Sequence, residues 1–216
     1  MLTPSEIVLL NGERFAPRAG LTHKFHLLHM EQDVSLTHLA QSMAVAAILA
    51  NEQVGTLRLD PCERKTLFGL AKTTVLLVHP LRPLAWPEPS LEGDLARLAA
   101  QVSAEKDGGE VWRLLDAWLA QDCPDPYARL VERVEANLAQ RGLLHAETRT
   151  KMKIFSTTAY SLPESTRLMG LRSLSSAEAL LHSAQQQPER WRPLNEQVVK
   201  GIAGRTEHSD IGADLD

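Results

Sequence analysis

SLTHLAQSMAVAAILAN, residues 35–51, decides how the rest of the chain is read. Ser35 offers an N-cap oxygen to a helix running from Leu36 to about Asn51. The second half of that helix, Met43 to Ala50, is apolar on every side, whereas a surface helix keeps one polar face. Such a helix belongs at the centre of a domain with other elements packed around it. Met43 to Ala50 is also the longest unbroken apolar run in the chain, far short of the roughly 20 residues that span a bilayer.

The flanking sequence supplies the surrounding elements. Upstream, Thr3, Pro4 and Glu6 form an N-cap, first-turn proline and capping-box acid ahead of Ile7, Val8, Leu9 and Leu10, which predicts a short helix ended by Asn11 and Gly12. Glu13 to Gln32 shows no sustained period and reads as a loop with one helical turn near Lys24 to Met30. Downstream, Val54, Leu57 and Leu59 predict a short strand that pairs with the β-branched run Thr73 to Val78. Pro80, Pro83, Pro87 and Pro89 then make a connector containing Trp86. Three amphipathic helices follow: Leu91 to Glu105, Glu110 to about Gln121, and one capped by Asp125 with Pro126 in its first turn, reaching Gln140. Gly142 reads as a left-handed C-cap. Thr150 to Tyr160 alternates like a β-hairpin or wing, and Ser161, Pro163 and Glu164 cap a final long helix to about Ala184.

The fold class that emerges is mainly α: a single compact helical domain over residues 1–184, with short β-hairpins and a winged-helix-like C-terminal part. Residues 185–216 read as a polar, mobile tail. With 44% hydrophobic residues the chain can bury a real core, and the 5% aromatic share favours Leu/Ala helix packing over a β-sandwich.

Charge and motifs bound the function. A formal net charge of −4 gives no global field for nucleic acid or an anionic membrane, so such a partner needs a local patch. One exists: Ala128 to Arg172 holds Arg129, Arg133, Arg141, Arg149, Lys151, Lys153, Arg167 and Arg172 against Glu132, Glu135, Glu147 and Glu164. Opposing that reading, the helix charges can pair one turn apart, as Arg129 with Glu132. No phosphate-binding loop, dinucleotide fingerprint, nucleophile elbow or zinc-protease motif occurs, so no catalytic residue and no cofactor is assigned. His23, His26 and His29 repeat every three residues, which on a helix spreads them around the axis and assigns no metal site. Cys62 and Cys123 stand without CxxC partners and read as small buried residues. The cysteine usage and the lack of a signal-like N-terminus predict a cytoplasmic setting.

From Trp112 to Leu181 the order of parts is unusual. A tryptophan-bearing helix precedes ERVEANLAQRGLL at 132–144, then Glu147, Lys153-Ile154-Phe155, a turn at Pro163 and a closing amphipathic helix. This resembles the Golgi phosphoprotein 3 family. Ser5 to Leu10 is similar to that family's opening helix, and the helix at 36–51 with Val54 to Leu59 to its central helix and following strand. The resemblance covers about two thirds of the chain. It implies a peripheral membrane adaptor that recognises phosphatidylinositol 4-phosphate and membrane-protein tails.

The family's headgroup site takes a loop aromatic, an arginine at the start of the central helix, and an arginine pair. In this sequence His38 and Gln41 stand at the helix start, and Ala128 and Val131 stand where the pair falls. Arg129 and Arg133, at i and i+4 on the same helix, are the substitutes for that pair, and Phe25 beside Lys24 is the candidate loop aromatic; the expected lipid headgroup site is therefore Arg129, Arg133, Lys24 and Phe25, with shallow apolar insertion by Phe25. Expected partners are an anionic, phosphoinositide-like lipid, a membrane-protein tail, and a second copy through the 150–160 hairpin. A self-associating scaffold protein or a winged-helix nucleic-acid module is the alternative. Glu132 and Glu135 on its recognition helix oppose it by repelling phosphate.

Overall fold

A computed structural model describes residues 1–66, 71–82, 86–105, 109–151 and 155–206. The helix expected at the centre is α3, Leu36–Gln53, capped by the Ser35 hydroxyl accepting from the His38 amide. Every residue from Met43 to Asn51 is buried. Around it pack α1 (Pro4–Leu10), α4 (Leu91–Ser103), α6 (Pro126–Gln140), α7 (Glu164–Gln185) and α8 (Pro188–Ala203). A further helix, α5 (Val111–Leu119), lies against α8 and α4. The shared core includes Leu39, Met43 and Ile48, all fully buried, and each such side chain contributes about 1.5–3 kcal/mol by leaving water. The molecule is mainly α and compact, with small antiparallel strand pairs.

Those strands form three two-stranded sheets among the described residues. The hairpin expected after α3 is β3 (Leu57–Thr66) with β4 (Ala71–Pro80), longer than the alternating residues suggested. After α6, whose C-terminus is followed by Gly142 at φ 71°, β5 (His145–Lys151) pairs with β6 (Phe155–Ser161) and leads into α7. The helix, wing and helix order of the C-terminal part is therefore present. Of the wing, Lys153 and Ile154 lie outside the described residues.

The segment 13–32 is not a plain loop with one helical turn. It begins inside a short helix, α2 (Gly12–Phe15), and contains β1 (Lys24–His26), which pairs with β2 (Asp33–Ser35). Phe25 lies opposite the fully buried Val34. With one inward residue per strand, three-residue strands leave no period to read. Cys62 and Cys123 are partly exposed rather than buried.

The chain after Gln185 also departs from the expected polar tail, since Pro188–Ala203 is a packed helix. Leu194, Val198 and Ile202, spaced by four, are buried on one stripe. Gly201 lets α8 approach α5 closely: a Cβ there would fall 2.5 Å from the Trp112 carbonyl oxygen. The stripe is narrow, and the signal is diluted by Pro193 inside the helix and by Glu189, Arg190, Arg192 and Glu196 around it. Residues 207–216 lie outside the described residues.

A buried polar cluster joins the helix starts. Pro4 has no N–H to give, and the next amide, Ser5, donates to Glu92 Oε1 at 2.8 Å while its hydroxyl donates to Oε2 at 3.1 Å. Glu6 accepts from the Thr3 amide at 2.8 Å and pairs with Arg141 beyond the end of α6. Asn51 donates to the Glu92 carbonyl at 3.0 Å and accepts from the Trp86 indole at 2.9 Å, which holds the proline-rich connector onto the core. Together these bonds fix α1, α3, α4 and α6 relative to one another.

Candidate functional site

Asp125 caps α6 by accepting from the Ala128 amide at 2.9 Å, and Pro126 occupies the first turn. The buried stripe Leu130, Val131, Val134 and Leu138 fixes the rotation of α6 against α3. Arg129 and Glu132 are thereby exposed and Arg133 half-exposed. On the other side, the pairing of Phe25 with Val34 turns Phe25 toward the core and leaves Lys24 outward. β6 closes the remaining wall with Thr158 and Tyr160.

These elements enclose a cavity of about 650 Å³ whose lining includes Lys24, Phe25, Arg129 and Arg133. All four side chains selected from sequence, two of them more than 100 residues from the others, are thus brought to one place. They are not equivalent. Lys24 forms an ion pair with Asp33 at 3.0 Å, and Asp33 is held below the ordinary carboxylate range by hydrogen bonds from His26 and then Lys24. Arg133 lies 4.0 Å over the Trp118 ring and donates to the Trp118 carbonyl. Burial lowers its pKa, a loss that nearby Asp94 opposes. Arg129 alone of the three cations makes no ion pair or side-chain hydrogen bond to another described residue, so the pairing with Glu132 does not form.

Two acids share the cavity, Glu132 and Glu135. Glu135 is only 7% exposed. Burial first, and then repulsion from Glu132 one turn away, push its pKa up to about 7. Tyr160 is raised as well, by its own burial and then by the charges of Glu135 and Glu132. Sequence reading placed Glu135 on the solvated face. Its spacing was the missed signal: Val131, Glu135 and Leu138 fall at i, i+4 and i+7, one stripe of a helix.

Two other cavities flank α7 and α8, of about 500 and 660 Å³. Their principal charges are already satisfied internally: Arg190 pairs with Glu52 at 2.5 Å, and Arg14 with Glu178 at 2.9 Å. Among the described residues, the cavity on α6 is distinguished by an arginine without a side-chain partner and by a buried acid. No protein-family model matches this chain, and no curated protein matches it.

Proposed function

We propose that this protein is a non-enzymatic peripheral membrane or adaptor protein that takes a phosphorylated lipid headgroup in the α6 cavity. The observation that carries the reading is the convergence of Lys24, Phe25, Arg129 and Arg133 on that one cavity. Arg129 meets the phosphate through charge-assisted hydrogen bonds, Lys24 adds a second cation from β1, and Phe25, packed inward against the core, gives the cavity an apolar wall rather than an inserting side chain. Arg133, anchored on Trp118, contributes mainly field and shape. The resemblance of the chain's order of parts to the Golgi phosphoprotein 3 family supports the same ligand class, with phosphatidylinositol 4-phosphate as its first candidate and a membrane-protein tail as a second partner. No helix among the described residues is long and apolar enough to cross a membrane, so docking is from the surface.

The test is co-sedimentation with vesicles of neutral lipid, anionic lipid and phosphatidylinositol 4-phosphate. Replacing Lys24 and Arg129 together by glutamate is expected to weaken binding by roughly tenfold or more, since a hydrogen bond to a charged group contributes about 1.5–3 kcal/mol. These two are chosen over Arg133, whose loss would also disturb Trp118. Unchanged binding by the double variant removes this cavity from the function. A shift of duplex DNA at low salt would favour the winged-helix alternative.

A further inference from the structure

Glu135 is the cavity's unexplained group. It is more than nine-tenths buried, lines the cavity, and makes no hydrogen bond or ion pair to another described residue. An unpaired buried carboxylate is costly, and the usual remedy is a cation within hydrogen-bonding distance. The cations of the cavity do not provide one. Lys24 is held by Asp33, Arg133 by the Trp118 ring and carbonyl, and Arg129 sits six residues back along the helix, roughly 9 Å along its axis. Among the described residues, the cavity thus offers a cation with no side-chain partner toward one end of α6 and, toward the other, an unpaired carboxylate whose oxygens are open to the cavity, with Tyr160 beside it.

We propose that the ligand is zwitterionic, a phosphate ester of ethanolamine, with its phosphate on Arg129 and its ammonium on Glu135. The inference rests on the headgroup reading above and, within it, puts an ethanolamine phosphate ahead of an inositol phosphate, which has no ammonium for Glu135. A primary ammonium carries three N–H donors and can satisfy both carboxylate oxygens. A quaternary choline ammonium has no donor and leaves Glu135 unpaired. Discrimination between the two headgroups therefore comes from Glu135, and attraction to phosphate from Arg129.

The experiment compares the full chain with Glu135→Gln, which keeps the shape and removes the charge. Both are sedimented with phosphatidylcholine vesicles, with the same vesicles containing phosphatidylethanolamine, and with vesicles containing an anionic phosphatidylglycerol; soluble phosphorylethanolamine and phosphorylcholine are titrated by calorimetry. Severalfold stronger binding to ethanolamine than to choline lipid, lost in Glu135→Gln while anionic binding persists, supports the assignment. The same dependence on Glu135 for soluble phosphorylethanolamine, without vesicle binding, supports the ligand chemistry and assigns a soluble source. Anionic binding with no ethanolamine preference, or a preference unchanged in the variant, overturns this inference and leaves the headgroup reading standing. Failure to bind any of these vesicles or either soluble ester overturns this inference, and failure to bind phosphatidylinositol 4-phosphate vesicles as well overturns the headgroup reading.

Discussion

At the scale of the residue, the molecule's least ordinary feature is a pair of acids whose charge is poorly supported. Glu92 is fully buried and its pKa is pushed up to about 7, first by desolvation, with the amide of Ser5 opposing and the charge of Glu6 adding. Glu135 reaches about 7 by burial and by Glu132. For both, the folded state binds a proton more tightly than the unfolded chain, whose carboxyl titrates near the ordinary 4.5. Their contribution to stability is therefore full below the unfolded value and is lost as pH rises through about 7. Thermal unfolding followed by circular dichroism should give a higher Tm at pH 5.5 than at pH 8, by a few degrees if each acid contributes on the order of 1–2 kcal/mol. Glu135→Gln should flatten that profile, and an equal dependence on pH in the variant would show that Glu135 titrates normally. Of these two acids the sequence announces neither by motif. Yet Glu92 shares a helical face with Leu95 and Ala99 as Glu135 does with Val131 and Leu138, so buried acids were legible to anyone who asked which polar residue interrupts an apolar stripe.

Among the elements, strong periods were read correctly and short or interrupted ones were not. α3 was legible because eight consecutive apolar residues admit no surface face, and α6 because Asp125, Pro126 and Gly142 mark both of its ends. β1 and β2 were hidden because three residues show a single inward side chain each. α8 was hidden because its stripe spans Leu194, Val198 and Ile202 on a helix that also carries Pro193. Its packing makes a specific demand at Gly201, where the α5 backbone leaves no room for a Cβ. Gly201→Val should destabilise the protein by about 1–3 kcal/mol through overpacking, measured by urea denaturation. An unchanged midpoint would mean that α8 does not press on α5.

Over the whole molecule, the candidate site is a product of tertiary structure. Lys24 and Phe25 come from a hairpin, Arg129 and Glu135 from α6, and Tyr160 from the wing. The sequence could name the cations by chemistry and by resemblance, but it could not separate a free Arg129 from an Arg133 stacked on Trp118, because that distinction depends on the approach of α5 to α6. Because the chain is acidic overall, with a net charge of −4, long-range attraction to an anionic surface is weak, and the proposed headgroup binding relies on contact within the cavity. Raising salt to physiological strength, where the screening length is about 8 Å, should therefore reduce vesicle binding only modestly. A steep loss would indicate a diffuse basic patch instead.

The most direct test of the central claim is sedimentation of the full chain with phosphatidylinositol 4-phosphate vesicles at physiological salt, beside the variant carrying both Lys24→Glu and Arg129→Glu. The native chain is expected to pellet with the vesicles and the variant to remain in the supernatant with an unchanged circular dichroism spectrum. Equal pelleting of the two proteins, or a native chain that stays in solution with every vesicle tried, would contradict it.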